Sequence, residues 1–219
     1  MAKSIISPDA QKSLKILKGF KYRIYPTPEQ EIFLAKSFGC CRFVYNWALG
    51  RKIQHYEITK KSLNICLISR ELTQLKKKKE FEWLNEPGSQ GLIDSLWNLD
   101  FAYNNFFKKK TGFPKFKRKH DNHQSFSIPQ AYRISNNFLF IPKLKSGIKI
   151  VQHRKFSGTP KTLTISKNPS GQYFASILVE TNETIKPFEK PKQETTIGID
   201  LGISNFITTS EGEKIDNPK

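Results

Sequence analysis

Apolar residues recur with two different spacings in this chain, and each spacing restricts its part of the sequence to a different secondary structure. Between residues 89 and 110 the apolar residues recur every three or four positions, which indicates the buried stripe of an amphipathic helix. These residues are Leu92, Leu96, Leu99, Tyr103 and Phe106. From residue 124 to residue 180 the apolar residues alternate in short runs, which indicates β-strands. An α+β fold with a small antiparallel barrel or sandwich is therefore expected.

The later runs and the turns between them define the expected sheet. We predict strands at residues 125–128, 138–141, 148–151, 163–166 and 173–179. Asn168-Pro169-Ser170-Gly171 is typical of the turn that closes a hairpin. These strands follow one another closely, so they can pair as antiparallel neighbours.

An earlier strand is predicted at residues 18–25, because apolar and polar residues alternate there. Its outer face would carry Lys21, Arg23 and Tyr25, and this face would be basic and aromatic. No strand follows it closely, so we expect it to join the later sheet. The helices would then be an insertion in a split β-domain.

The first helix has a clear start. Thr27 can cap it, Pro28 fits the first helical position, and Gln30 completes a capping box. We predict that this helix runs to about Phe38 and that Gly39 breaks it before a second helix. Two short helices around a glycine resemble a helix-turn-helix, although most such pairs are simply packed against each other.

A third helix is predicted from Ile65 to Lys79, and its end carries four consecutive lysines. Lys76, Lys77, Lys78 and Lys79 could bind a nucleic-acid backbone, or they could complement the helix dipole and aid solubility. The turn at residues 86–89 then begins the fourth helix.

Charge favours a polyanionic partner. The chain has 37 Lys and Arg residues against 19 Asp and Glu residues, a formal net charge of +18. Nucleic acid is the first candidate and an anionic membrane surface the second, because either would neutralise this charge. We expect a cytoplasmic protein, since the N-terminus lacks the apolar core of a signal peptide and no run of 18 apolar residues occurs. Three cysteines without a Cys-x-x-Cys pair predict neither a disulfide framework nor a zinc site.

The strongest binding signal lies between residues 108 and 119. Seven cations occur there without an acidic residue, and aromatic residues lie among them. Cations can follow phosphates while exposed rings stack bases. The alternative is a solvated run of charge over a small cluster of phenylalanines. The candidate binding residues are Lys108, Lys109, Lys110, Lys115, Phe116, Lys117, Arg118 and Lys119.

Asp200 is the candidate catalytic and metal-binding residue. It lies in Ile197-Gly198-Ile199-Asp200-Leu201-Gly202, an apolar strand between glycines. An aspartate on such a strand is costly unless it is paired or binds a metal, and two-metal nucleases use strand-borne aspartates. The same string also opens actin-like ATPases, so this interpretation has an alternative. Residues 195–201 and 205–209 are predicted to form a hairpin.

Four strings, taken in order, resemble one known family. They are Tyr22-Arg23-Ile24-Tyr25-Pro26-Thr27-Pro28-Glu29-Gln30, Phe38-Gly39-Cys40-Cys41-Arg42-Phe43-Val44-Tyr45-Asn46-Trp47, Gly112-Phe113-Pro114-Lys115-Phe116-Lys117 and Gly198-Ile199-Asp200-Leu201-Gly202. From about residue 18 onward the sequence is similar to the TnpB (OrfB) family of insertion-sequence proteins, relatives of compact type V CRISPR nucleases. The resemblance implies a guide RNA, and a target DNA read by base pairing with that RNA.

The resemblance also implies a division into domains. A wedge-type split β-barrel would occupy residues 18–26 and 111–183, after a lead-in at residues 1–17. A helical recognition domain would occupy residues 27–110. A linker at 184–194 would precede residues 195–219, the first hairpin of an RNase H-like (RuvC) nuclease domain.

The resemblance makes Asp200 the first catalytic aspartate, with Mg²⁺ as the implied cofactor. The family's catalytic Glu, final Asp and zinc ribbon would lie beyond the end of this chain. We therefore expect this chain to bind nucleic acid without cutting it. A stand-alone RNA- or DNA-binding regulator, or an inactive gene remnant on the same scaffold, is the alternative.

Overall fold

A computed structural model describes residues 16–121, 124–181 and 196–218 of the chain. The expected linker at 184–194 and most of the lead-in lie outside the described residues. The chain forms two compact units, Met1–Glu183 and Thr184–Lys219. Within the described residues, no helix is both long enough and apolar enough to cross a lipid bilayer.

The first unit combines helices with an antiparallel sheet, so the expected α+β class is confirmed. Its helices are α1 (Pro28–Thr59), α2 (Ile65–Leu75), a 3₁₀ helix (Lys79–Asn85) and α3 (Ser89–Phe107). Its strands are β1 (Ile16–Tyr25), β2 (Gln124–Ile128), β3 (Arg133–Ser135), β4 (Phe138–Phe140), β5 (Ile148–Val151), β6 (Thr159–Lys167) and β7 (Tyr173–Thr181). The sheet order is β2-β6-β7-β1-β5-β4-β3, and the described residues leave it open at β2 and β3.

The first strand of the chain lies inside this sheet, as its sequence predicts. β1 pairs antiparallel with β7 from Ile16 to Ile24 and with β5 from Arg23 to Tyr25. All three α-helices and the 3₁₀ helix therefore fall between β1 and the strands that follow. One face of the sheet is buried together with the helices, and Tyr22 and Ile24 are at most 1% exposed.

The predicted break at Gly39 is wrong, because α1 is one helix of 32 residues. A single glycine inside a helix costs only about 1 kcal/mol relative to alanine. The neighbouring Phe38, Cys40 and Cys41 are buried in the core, and packing of this kind outweighs local propensity. The predicted cap is correct, since Thr27 Oγ1 accepts from Gln30 N and Gln30 Oε1 accepts from Thr27 N.

The predicted end of the third helix at Lys79 is also wrong, because α2 ends at Leu75. The chain turns through the lysine run, where Lys78 N donates to Leu75 O and Asn85 Nδ2 donates to Lys76 O at 3.1 Å. Four adjacent like charges gain little from a continued helix. The turn instead starts the 3₁₀ helix, whose aromatic residues pack against α1.

Two short strands were not predicted from the sequence, and each has only three residues. β3 pairs with β4 at the edge of the large sheet. The second unit contains β8 (Ile199–Asp200), β9 (Asn205–Thr209) and the unpredicted β10 (Lys214–Asp216), in the order β10-β9-β8. Such short runs contain too few residues to show a period of two.

Candidate nucleic-acid interface

The solvent face of β1 places two predicted binding residues beside an aromatic ring of β7. Lys21 Nζ lies 4.4 Å from the centre of the Phe174 ring, and the guanidinium carbon of Arg23 lies 5.2 Å from the same centre. The antiparallel register produces this arrangement by pairing Arg23 with Phe174. Arg23 Nε is buried and has no hydrogen-bond partner in the described part of the chain. The two cations lie over the ring in cation–π contact, and together they form a basic and aromatic patch that can meet the phosphates of a nucleic acid.

The basic segment, residues 108–119, follows α3 and contains neither helix nor strand. All seven of its cationic residues are exposed. None of the side-chain ion pairs found among the described residues involves them. Their mutual repulsion is therefore relieved by no ion pair within the described structure, and a polyanion would relieve it.

A side chain of α1 fixes the backbone of the basic segment. Asn46 Nδ2 donates to Lys117 O at 2.9 Å, and Asn46 Oδ1 accepts from Lys117 N at 2.8 Å. Downstream, Gln124 Nε2 donates to Lys119 O at 2.8 Å. This irregular segment is thus held in place by side-chain hydrogen bonds to its own backbone.

Lys117 differs from its neighbours in the basic segment. The residue as a whole is exposed, but its Nζ lies 4.2 Å from the centre of the Tyr45 ring. Burial lowers the pKa of Lys117, while Cys41 and the carboxylates of Asp94 and Asp121 act in the opposite direction. The position of Nζ explains both observations, since it faces protein atoms although the rest of the side chain meets solvent.

The aromatic residues of this region divide into two groups. Phe113 packs nearly perpendicular to Phe106, with ring centres 5.3 Å apart, and to Tyr103, with centres 5.5 Å apart. Phe113 therefore packs against the end of α3, as in the alternative interpretation of a phenylalanine cluster. Phe116 is 54% exposed and forms no ring contact within the described residues, so its ring is accessible to a base.

The lysine run after α2 is the least defined of the predicted binding groups. Lys77, Lys78 and Lys79 are exposed, whereas Lys76 is partly buried and caps the end of α2. Their position beside the last turn of a helix suits either proposed role, because cations there also complement the helix dipole.

Asp200 ends the short strand β8 and is exposed. Its register partner is Thr208 on β9. Among the described residues, no group of three or more His, Cys, Asp or Glu side chains lies close enough to hold a metal ion. The described residues around Asp200 thus do not fit a Mg²⁺ site, which needs several oxygen ligands.

Sequence reasoning missed the residues that organise this surface. Phe174 alternates with buried residues on β7, so its outward position could have been read from the sequence. Its place between Lys21 and Arg23 depends on strand register, which the sequence pattern does not determine. Asn46 and Tyr45 act on Lys117 across more than 70 residues of chain, and no local signal marks such a contact.

Comparison with known proteins gives one family match and several relatives. Residues 16–61 match the family model HTH_OrfB_IS605, described as a helix-turn-helix domain. In this structure those residues form β1, α1 and the turn that follows α1. The chain is 35% identical over 208 residues to a Streptomyces pristinaespiralis protein named "Putative RNA-guided DNA endonuclease", covering 94% of this chain and 51% of that protein.

Of two further relatives, one is longer than this chain and the other is shorter. An Escherichia coli (strain K12) protein named "Putative RNA-guided DNA endonuclease InsQ" is 32% identical over 201 residues, covering 91% of this chain and 48% of that protein. The chain thus spans about half the length of these two relatives. A Salmonella dublin protein named "Virulence protein VsdF" is 37% identical over 114 residues, covering 48% of this chain and 96% of that protein.

Proposed function

The chain belongs to the TnpB (OrfB) family of insertion-sequence proteins, and we propose that it is the nucleic-acid-binding portion of an RNA-guided DNA endonuclease of this family. Its partners are a guide RNA and the target DNA that pairs with that RNA. A cytoplasmic location accords with both partners.

One observation carries this proposal. The basic segment presents exposed cations without ion pairs among the described residues, and Asn46 holds its backbone at Lys117. A fixed row of cations meets a polyanion without first paying the entropy of ordering a loop. Lys108, Lys109, Lys110, Lys115, Arg118 and Lys119 contact phosphates, and Phe116 stacks a base. Lys21 and Arg23 supply a second contact area beside Phe174, and Lys76–Lys79 supply a less specific one.

Lys117 has a different role on this proposal. Its ammonium faces Tyr45, so Lys117 positions the basic segment instead of meeting phosphate. Lys115 and Lys117 therefore form a matched pair, because both are exposed lysines of the same segment.

The experiment measures the affinity of the 219-residue chain for RNA transcribed from the end of its insertion sequence (the element RNA) as salt concentration rises. In Lys115→Gln, loss of one phosphate contact should reduce the slope of log affinity against log salt by about 0.7. In Lys117→Gln that slope should stay at the wild-type value, while the thermal midpoint changes. Equal slopes for all three proteins would contradict these roles, and salt-independent or absent RNA binding would contradict the proposed function.

The finer architecture belongs to the same proposal. Residues 18–26 and 111–183 form a wedge-type split barrel around the inserted helical domain at 27–110. Residues 195–219, after the 184–194 linker, form the first hairpin of a RuvC-like nuclease domain. The central place of β1 between β5 and β7 supports this, because strands on both sides of the helical insertion share one sheet.

We propose that Asp200 is the first catalytic aspartate, because the Gly-Ile-Asp-Leu-Gly motif around it resembles that of the family. The resemblance implies Mg²⁺ as the cofactor of phosphodiester cleavage. Asp200 would contribute one oxygen ligand, and the described residues do not provide the others. We propose that the 219-residue polypeptide binds nucleic acid without cutting it.

A stand-alone binding regulator is the second candidate. The observation that favours it is the alignment of 96% of the Salmonella dublin protein with 48% of this chain, since part of this sequence there makes up nearly a whole protein. On this hypothesis Asp200 is dispensable, and Asp200→Ala leaves every cellular effect of the chain unchanged. Restoration of cutting by a separately expressed C-terminal half would support the nuclease hypothesis instead.

A further inference from the structure

One face of α1 forms an open groove next to the basic segment. Positions i, i+3, i+4, i+7 and i+8 of a helix share a face. Here they contribute five groove residues, and the 3₁₀ helix contributes a sixth. We call this surface the α1 groove; it has a volume of about 650 Å³, is open to solvent, and is lined by Gly39, Arg42, Phe43, Asn46, Trp47 and Trp83.

The aromatic wall of the α1 groove is rigidly held. The rings of Trp83 and Phe43 meet edge to face with centres 5.0 Å apart, and Phe43 also lies 5.8 Å from Phe81. Trp83 Nε1 donates to Glu80 O at 3.0 Å, so the indole N–H is already satisfied. A large ring in a fixed orientation needs no ordering before a base stacks on it.

Arg42 connects the α1 groove with the basic segment. It lines the groove and also a polar pocket of about 160 Å³ that Lys117 and Arg118 share. In the described part of the chain, its guanidinium has neither an ion pair nor a hydrogen bond. Asn46 likewise lines the groove while it holds the backbone of Lys117. The groove and the cations thus lie close enough together to engage one polynucleotide.

Gly39 leaves one part of the α1 groove without a side chain. A Cβ atom at this position would meet only Arg42 Nη2, at 3.9 Å, and its φ is not positive. The fold therefore does not require glycine here, and a helix interior favours alanine over glycine. The space above Gly39 is open for a bound group.

We propose that the α1 groove receives an unpaired base of the RNA whose phosphates meet the basic segment. The base stacks on the indole rings of Trp47 and Trp83, and Arg42 contacts the adjoining phosphate. An unpaired base is required because bases inside a duplex do not present their faces for stacking. The inference rests on the proposed function, since it assigns a place to the RNA already proposed to bind.

The first experiment fills the α1 groove without disturbing the fold. The probe is a fluorescently labelled oligo(U), and the measurement is its anisotropy on titration with the 219-residue chain. Gly39→Leu should bind oligo(U) about 5- to 150-fold more weakly, the range for losing one stacked base, with a thermal midpoint no lower than wild type. Gly50→Leu is the matched control, because Gly50 lies in the same helix with no atom within 4 Å of an added Cβ.

Two further variants test the wall and the cation. Trp83→Ala should weaken oligo(U) binding to a similar degree, whereas Phe101→Ala, which removes a 67% exposed ring of α3, should not. Arg42→Gln should reduce the slope of log affinity against log salt concentration by about 0.7, whereas Arg42→Lys should leave that slope at the wild-type value.

The outcomes separate this inference from the proposed function. Wild-type protein that binds neither oligo(U) nor element RNA would overturn both. If the wild-type protein binds oligo(U) and Gly39→Leu binds it with the same affinity, only the assignment of the groove would be overturned. The same holds if Gly50→Leu loses as much affinity for oligo(U) as Gly39→Leu. Oligo(dT) binding as tightly as oligo(U), with the same sensitivity to Gly39→Leu, would overturn the choice of RNA over single-stranded DNA.

Discussion

Residues 16–181 and residues 196–218 both contain strands in which apolar and polar residues alternate. The two regions differ in whether the apolar side chains of those strands are buried. In the first region Tyr22 and Ile24 of β1 and the inward residues of β7 are buried, and Ile177 is fully inaccessible. In the second region Ile199 of β8 is 60% exposed and Ile215 of β10 is 50% exposed within the described residues, and Ile203, between β8 and β9, is 92% exposed. The difference shows that a strand pattern predicts pairing, whereas burial requires a second layer of structure.

The largest expected effect is on the free energy of unfolding, and it is tested by replacing one isoleucine in each region. Ile177→Ala should lower the free energy of unfolding by about 2–5 kcal/mol, because it removes packed methyl groups from the core and leaves a cavity. Ile203→Ala should change it by no more than about 0.5 kcal/mol, since this side chain meets solvent. Urea denaturation followed by circular dichroism measures both values. Equal losses in the two variants would contradict the comparison.

A smaller effect is expected where the first region uses contacts between distant parts of the chain. Asn46→Ala removes both hydrogen bonds to the Lys117 backbone and should lower the free energy of unfolding by about 1–3 kcal/mol. It should also speed hydrogen exchange at the Lys117 amide and weaken RNA binding, because the basic segment loses its fixed conformation.

Asn98 provides the control for Asn46. Among the residues that the structure describes, its side chain donates only to Asp94, four residues away on α3. Asn98→Ala should leave RNA affinity and exchange at Lys117 unchanged. If Asn46→Ala behaved in the same way, the hydrogen bonds of Asn46 would not order the segment.

The sequence predicted the parts of the fold that depend on local pattern. The capping box of α1, the stripe of α3 and β5 with its bounds all follow from spacing within a few residues. The continuity of α1 through Gly39 did not, because it depends on the burial of Phe38, Cys40 and Cys41 against distant elements. Local propensity is a weak guide wherever such packing decides.

The same division applies to the candidate site. Charge and aromatic content identified the basic segment without any structure. The inward position of the Lys117 ammonium and the position of Phe174 between two cations depend on contacts between distant residues. Composition therefore indicated which segment is the candidate for binding, and the structure was needed to distinguish lysines that look alike in the sequence.

The smallest expected effect concerns Asp200 in the second region. Asp200 is exposed and its strand partner is Thr208, so it makes no core contact in the described part of the chain. Asp200→Ala in the 219-residue chain should leave the thermal midpoint and RNA affinity at wild-type values. Both proteins should leave labelled DNA intact in the presence of RNA and Mg²⁺, because one carboxylate cannot hold the metal ions that phosphodiester cleavage needs.

A cleavage assay on denaturing gels tests this expectation. Mg²⁺-dependent strand scission by the wild-type chain, abolished in Asp200→Ala purified in parallel, would exclude a contaminating nuclease. It would show that residues 196–218 reach a catalytic arrangement although their apolar side chains are exposed. The contrast between the two regions would then concern stability alone, and the second region would have to gain order when nucleic acid or metal binds.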